Sequence, residues 1–314
     1  MSDLPSCTHT PVDDSTLEGS DHAYDTSGGS ATLSSGSLTL VATPIGNLGD
    51  ISVRAIETLK AAELILCEDT RVTAKLLKAY NISTPTLILH DHNEEGRIPG
   101  LLNRLKGGAR LALVSDAGTP LVSDPGFRLA RAAIAEDVSI GAIPGPNAAT
   151  LALTLSGLPP HPYLFNGFAA PRSAARRSQF SILRAAEQAG LSATLIWYEA
   201  PHRLLDMIED LIAVFGADRQ GAVARELTKR FEEIRRGTLA ELQTHFTQTA
   251  PRGEITILIG PSGDSDKPSG DDLDSRLLAA LQTHSVKDAA ALVAGAVNLP
   301  KRVVYARALE LGKA

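Results

Sequence analysis

The stretch RLALVSDAGTPLVSDPGFRLARAAIAE, residues 110–136, passes from a short apolar run through a loop crowded with Gly, Pro and Asp into a segment whose apolar residues fall three and four apart. The run at 110–114 is too short for a helix and reads as a buried strand, whereas FRLARAAIAE carries the helical period. Strand, polar loop and helix in that order form the repeating unit of a covered, mostly parallel sheet. The loop itself is unusual. It writes Ser-Asp-x-Gly twice, at Ser115 to Gly118 and at Ser123 to Gly126.

Working outward, the same unit recurs. LTLVAT, ELILCED, TLILHD and VSIGAIPG read as further strands, with SVRAIETLKAA, RVTAKLLKAY and IPGLLNRLK as helices between them. PNAATLALTLSGLP predicts a helix ending at Gly157, and Pro159, Pro160 and Pro162 then enforce an extended crossing, which sets a domain boundary there. Beyond it YLFNGF, ATLIWYEAP, GAVARELT and GEITILIG predict strands, and RSQFSILRAAEQA, RLLDMIEDLIAVF and LAELQTHF predict helices. PSGDSDKPSGDD reads as a linker. The expected organisation is therefore an acidic extension (1–36), an α/β domain (37–157), a second α/β domain (158–261), a linker (262–272) and a small basic helical module (273–314) in which Val286 to Leu309 resembles a helix-turn-helix.

Composition narrows the function classes. The 314 residues carry 30 basic and 36 acidic side chains, and six of those acids lie in the first 36 residues, which contain no Lys or Arg. The formal charge of −6 thus belongs to the extension, and the remainder is neutral. The extension is rich in Ser, Thr, Gly and Asp and has no basic-then-apolar leader pattern, so it is expected to be disordered and dispensable. No apolar run approaches the ~18 residues that span a membrane. Cys7 and Cys67 stand alone, which indicates neither a disulfide framework nor a zinc site. A cytoplasmic setting fits best. Asp116 and Asp124 could be imagined clamping a divalent cation, as could the His90-Asp91-His92 triplet, but neither set has the remaining ligands nearby, so no metal is expected.

Ligands of parallel α/β sheets bind beyond the carboxyl ends of the strands. Four loops sit at such positions: TPIGNLGDIS, SDAGTPLVSDPG, IPGPNAA and YEAPHR. Together with CEDTR, HDHNEEGR, ARELTKRFEE and RGEITILIG, in this order from Leu38 to Gly260, the chain resembles the tetrapyrrole methylase superfamily and, within it, the ribosomal RNA small subunit methyltransferase I family.

The resemblance implies two α/β domains with S-adenosylmethionine held in the cleft between them, a homodimer, and methylation of a cytidine ribose 2′-hydroxyl in the decoding centre of 16S rRNA within the small ribosomal subunit. It also implies a cofactor site at Pro44, Asp116, Gly118, Thr119, Pro120, Leu121, Val122, Asn147, Ala148 and Ala149. The superfamily writes Gly-Asp-Pro in the loop where this chain has Gly118-Thr119-Pro120, so Asp116, just upstream, becomes the acid available to the ligand. Asp124 with Pro125 is then expected to cap the next helix, Asp at the N-cap and Pro at the first helical position.

Methyl transfer to a ribose hydroxyl requires an in-line approach and loss of one proton, which calls for a base or for a cation facing the developing alkoxide. Glu68, Asp69, His92, Glu199, His202, Arg203, Glu226 and Lys229 are the candidates, with Lys229 preferred as the cation, held by Glu226 or Glu232. Phosphate contacts are expected from Arg172, Arg176 and Arg177, which have no acid near them in sequence until Glu187, and from Lys301 and Arg302 in the terminal module. That module either binds RNA or packs in the dimer. A tetrapyrrole carbon methyltransferase and a non-catalytic ribosome-assembly factor are the alternative functions.

Overall fold

A computed structural model describes residues 34–262, 270–297 and 301–312. Most of the predicted extension, the middle of the predicted linker and the NLP turn lie outside the described residues.

The first domain is built from β1 (Ser37–Val41), α1 (Val53–Ala61), β2 (Leu64–Cys67), α2 (Thr70–Ala79), β3 (Thr86–Ile88), α3 (Glu94–Lys106), β4 (Arg110–Val114), α4 (Phe127–Ala135), β5 (Ser139–Ile143) and α5 (Ala148–Ser156). Its sheet has the order β3-β2-β4-β1-β5, with every pair parallel. β2 and β4 are buried on both faces, which is why they read as unbroken apolar runs. Two apolar clusters, one around Leu59, Ile65 and Ala112 and the other around Leu66, Leu111 and Leu129, cover the two sides of the sheet. β1 lies beside β4, and the loops that follow them are tied together: Thr43 and Gly118 exchange backbone hydrogen bonds of 2.9 and 3.1 Å.

The second domain comprises β6 (Tyr163–Phe168), α6 (Ser173–Gln188), β7 (Thr194–Glu199), α7 (Leu204–Phe215), β8 (Gln220–Arg225), β9 (Glu233–Thr238), α8 (Leu239–Gln248) and β10 (Ile255–Ile259). The order is β6-β7-β10-β8-β9, and only β6 and β7 are parallel. Because β10 runs against β7 and β8, its start lies at the same sheet edge as their ends. Loops 199–203, 226–232 and 253–254 therefore converge. β9 was absent from the expected strands. α6 and α7 are locked by Asp210, which accepts from Ser173 Oγ (2.7 Å), Arg176 Nε (2.6 Å) and Arg177 Nε (2.5 Å).

The terminal module packs α9 (Gly270–Leu281), α10 (Val286–Val297) and α11 (Lys301–Leu311) around Leu277, Ala289, Ala290, Val304 and Ala308. Arg307 on α11 pairs with Asp274 on α9. Among the described residues no helix is long and apolar enough to cross a membrane.

The start of α4 corrects one expectation. The helix begins at Phe127 with Gly126, at φ 108°, in the capping position and no side-chain cap. Asp124 is left facing elsewhere: Asp124 lines the cleft between the domains.

Candidate active site

Between the two sheets lies a cleft of about 550 Å³. The first domain contributes Ile45 from the loop after β1, Asp116 to Thr119 and Val122 to Asp124 from the loop after β4, and Asn147 and Ala148 at the start of α5. The second contributes Phe168, Tyr198 to Pro201, Glu226, Leu227, Lys229 and Gly253 to Thr256. The carboxyl ends of the parallel first sheet, where ligands of such sheets bind, thus face loops of the second sheet across one space.

The loop after β4 is held in a conformation that few residues adopt. Gly118 has φ 86°, and a Cβ there would meet Ile45 Cγ2 at 3.2 Å, so glycine is needed both for the turn and for the approach of the β1 loop. Leu121 and Ser123 also take left-handed conformations, φ 70° and 71°. Such strain persists only where surroundings over-determine it, and it gathers at binding sites. Asn147 caps α5 by accepting from the amides of Ala149 (3.0 Å) and Thr150 (3.1 Å), and the Ala149 amide also donates to Tyr198 Oη across the domain seam at 3.2 Å. The helix N-terminus at the cleft wall carries partial positive charge.

One wall is acidic. Burial raises the pKa of Asp116, with the carboxylate of Asp69 adding to it. Burial and then Asp116 do the same to Glu68. Asp124 is pushed up to about 7, by burial first and by Glu68 second, against the opposing hydrogen bond from Ser115. Carboxyls that disfavour their own charge in this way are stabilised by an arriving cation.

The opposite wall holds a fixed cation. Lys229 Nζ donates to Glu226 Oε1 and Glu254 Oε2, each at 2.9 Å. Burial opposes its charge, but the two carboxylates outweigh burial and raise its pKa. The Lys229 hydrogen bond in turn lowers the pKa of Glu226. Glu226 and Thr228 have φ of 51° and 66°, a second strained loop in the cleft. Glu232, the alternative holder expected from sequence, instead accepts from the Thr228 amide at 2.7 Å. Glu199 is 2% exposed. Its Oε1 accepts from the Ala200 amide at 2.8 Å, and Oε2 has no hydrogen-bond partner, lying 3.2 Å from Arg203 Nη2 in an ion pair. Burial raises its pKa.

Of the expected cofactor residues, Asp116, Gly118, Thr119, Val122, Asn147 and Ala148 line the cleft, whereas Pro44, Pro120, Leu121 and Ala149 do not. Lys229, Glu199 and Glu226 line it as well. His202 does not: it sits exposed on the short turn Pro201–Arg203. The sequence reading missed Phe168, Tyr198, Glu254 and Thr256 as lining residues: Phe168 ends a stretch read only as a strand, and although Tyr198 opens YEAPHR and Glu254 and Thr256 lie in RGEITILIG, spacing alone does not say which side chains of those stretches face the ligand.

The expected arginine cluster needs correction. Arg176 is 2% exposed and paired with Asp210, so it presents nothing to a phosphate, and Arg177 shares the same partner. The acid comes from α7, 33 and 34 residues further along the chain, and hence was invisible to local spacing. Arg172, Lys301 and Arg302 remain exposed.

The profile of the family described as Tetrapyrrole (Corrin/Porphyrin) Methylases matches residues 37–243, and that of the RsmI C-terminal HTH domain matches residues 267–312. The chain is 44% identical, over 87% of its own length and 92% of the other's, to a ribosomal RNA small subunit methyltransferase I of Mesorhizobium japonicum. It is 41% identical to the protein of that name from Escherichia coli O157:H7, over 90% of this chain and 97% of the other. Among solved structures, a diphthine synthase superposes with a TM-score of 0.55 at 17% identity, covering 71% of this chain and 90% of that one. A cobalt precorrin-4 methyltransferase does so with 0.52 at 18% identity, covering 72% and 95%.

Proposed function

Because the chain belongs to the tetrapyrrole methylase family and, within it, to the ribosomal RNA small subunit methyltransferase I family, we propose that it transfers a methyl group from S-adenosylmethionine to the ribose 2′-hydroxyl of a cytidine in the decoding centre of 16S rRNA. The observation that carries this reading is the cleft with one acidic wall and one fixed ammonium. When bound, S-adenosylmethionine supplies an electrophilic methyl group on a sulfonium. Its two positive groups suit the wall of Asp116 and Asp124, backed by the nearby carboxyl of Glu68, where burial and neighbouring carboxylates raise the pKa values.

The chain's own groups then divide the work. Asp116, Gly118, Thr119, Val122, Asn147 and Ala148 hold the cofactor, the glycine by letting the backbone come close. Lys229 places a positive charge where the hydroxyl oxygen gains negative charge, and its two carboxylate partners keep it protonated. Glu226 has a lowered pKa and is committed to Lys229, so it positions rather than accepts the proton. Glu199, made more basic by burial, is the carboxylate suited to take the proton. Arg172, Lys301 and Arg302 serve phosphate contact. By the same resemblance the enzyme acts as a homodimer on the small ribosomal subunit in the cytoplasm.

The test offers S-adenosylmethionine with a labelled methyl group to two acceptors, small subunits lacking the modification and a tetrapyrrole. The proposal expects label in the 16S RNA alone. Label in the tetrapyrrole, or cofactor binding without transfer to RNA, would overturn it.

A further inference from the structure

β6 and β7 run parallel, yet their pairing does not advance in step. Phe165 faces Ile196 and Phe168 faces Tyr198, three steps on β6 against two on β7. The extra residue falls at Asn166–Gly167, where Gly167 adopts φ 64°, a conformation glycine takes without steric cost. Side chains alternate along a regular strand, so residues 165 and 168 ought to point to opposite faces. The bulge cancels that alternation. Both rings meet Tyr198 edge to face, with centroids 4.7 and 5.7 Å away. The Asn166 amide donates to the carbonyls of Leu164 (3.1 Å) and Ile196 (3.4 Å), which fixes the irregularity. A Cβ on Gly167 would stand 3.3 Å from Ser123 Oγ, so the bulge also seats against the loop after β4 in the other domain.

The product of this arrangement is a phenylalanine that lines the cleft while 57% exposed. Burying such a ring is strongly favourable, and here more than half of it is left in water. Stability does not account for a bulge that delivers a phenyl ring to the rim of a cleft. Bulges beside functional sites re-aim side chains. A single-stranded nucleotide presented to an enzyme is commonly held by stacking its base on an aromatic ring, a contact open to any base.

We infer that Phe168 is a stacking platform for a nucleobase, and that its occupant is the base of the target nucleotide. The inference rests on the RNA methyltransferase reading above. The ring sits at the rim, where a polymer arrives from solvent, whereas the loops assigned to the cofactor form the wall contributed by the first domain.

The variants Phe168→Leu and Phe168→Trp separate platform from packing. For each, the Kd of S-adenosylmethionine is measured by calorimetry without RNA, and KM is measured for small subunits lacking the methyl group. Leucine should raise that KM about 5- to 150-fold, the loss that one stacked base predicts, while tryptophan retains KM within about threefold and both leave the cofactor Kd within about twofold. A weakened cofactor Kd with KM unmoved would assign the ring to the adenine of the cofactor and overturn the inference. An unmoved KM in the leucine variant, or equal loss in both variants, would reduce Phe168 to packing on Tyr198. A wild-type protein that methylates no subunit would remove the functional reading and this inference together, whereas an active wild type with an unaffected leucine variant would remove this inference alone.

Discussion

Replacing Gly46 by alanine would drive a methyl group into the loop that carries Lys229. A Cβ at this position, in the loop after β1, would lie 2.5 Å from Lys229 Cγ, 2.8 Å from Thr228 Oγ1 and 2.9 Å from the Leu227 carbonyl oxygen. Non-bonded carbons settle about 3.5–4.0 Å apart, so the seam between the domains has to open by roughly 1 Å. The lysine cannot simply swing clear, because its ammonium is anchored to Glu226 and Glu254 and the Leu227 oxygen is backbone. A displacement of about 1 Å at a reacting centre costs on the order of 100-fold in rate. Overpacking of this kind costs ~1–3 kcal/mol, and each kcal/mol lowers the melting temperature of a domain this large by ~2–4 °C.

The assay is kcat at saturating cofactor and subunit, with a thermal melt of the same preparation. Gly46→Ala should lose about 100-fold in kcat and several degrees in Tm. Gly100→Ala serves as the control: Gly100 lies inside α3, where a Cβ would meet nothing within 4 Å, so it should gain ~1 kcal/mol with kcat unchanged. Wild-type kcat in Gly46→Ala would refute the assignment of Lys229 to the reaction.

Further outcomes follow from the same structure. Asp124 holds its proton to about pH 7 when folded and to about 3.8 otherwise, so the ligand-free protein should lose stability as pH rises from 4 to 7 and level off above; Asp124→Asn should lack that slope in melts across the range. Arg176→Ala strips the partner from a buried Asp210 and should cost ~3–5 kcal/mol in denaturant unfolding, as breaking a buried ion pair does. Arg172→Ala should weaken subunit binding at low salt and reduce the slope of log K against log salt by about one, the signature of a single phosphate contact. Lys229→Met should lower kcat about 100- to 1,000-fold with the cofactor Kd little changed, the scale for losing one charge-stabilising donor.

The parts of the fold that were legible were those dictated by local pattern. β1, β2 and β4 announce themselves because strands buried on both faces must be apolar, the edge strands β3 and β5 by short apolar runs closed by turn-forming residues, and the helices laid on them because they must be apolar on one side. β9 went unread because residues 233–238 form an edge strand in which Arg235 and Arg236 are exposed, Glu233 is tied to Arg225 and Arg235, and no apolar alternation is written. Tertiary partners were unreadable for a different reason. Asp210 reaches Arg176 from another helix, and Glu254 reaches Lys229 from 25 residues away, so no spacing rule connects them. The capping role expected of Asp124 followed a sound local rule, but Gly126 supplied the turn instead and released the acid to the cleft. Phe168 depends on a bulge that only the pairing of two strands reveals.

The central claim concerns where the methyl group lands. Small subunits lacking the modification are incubated with S-adenosylmethionine carrying a labelled methyl, and the 16S RNA is then hydrolysed in alkali, which cleaves only where a 2′-hydroxyl is free. The account expects the label in one alkali-resistant dinucleotide that begins with cytidine. Label recovered entirely in mononucleotides would place the methyl on a base and contradict it.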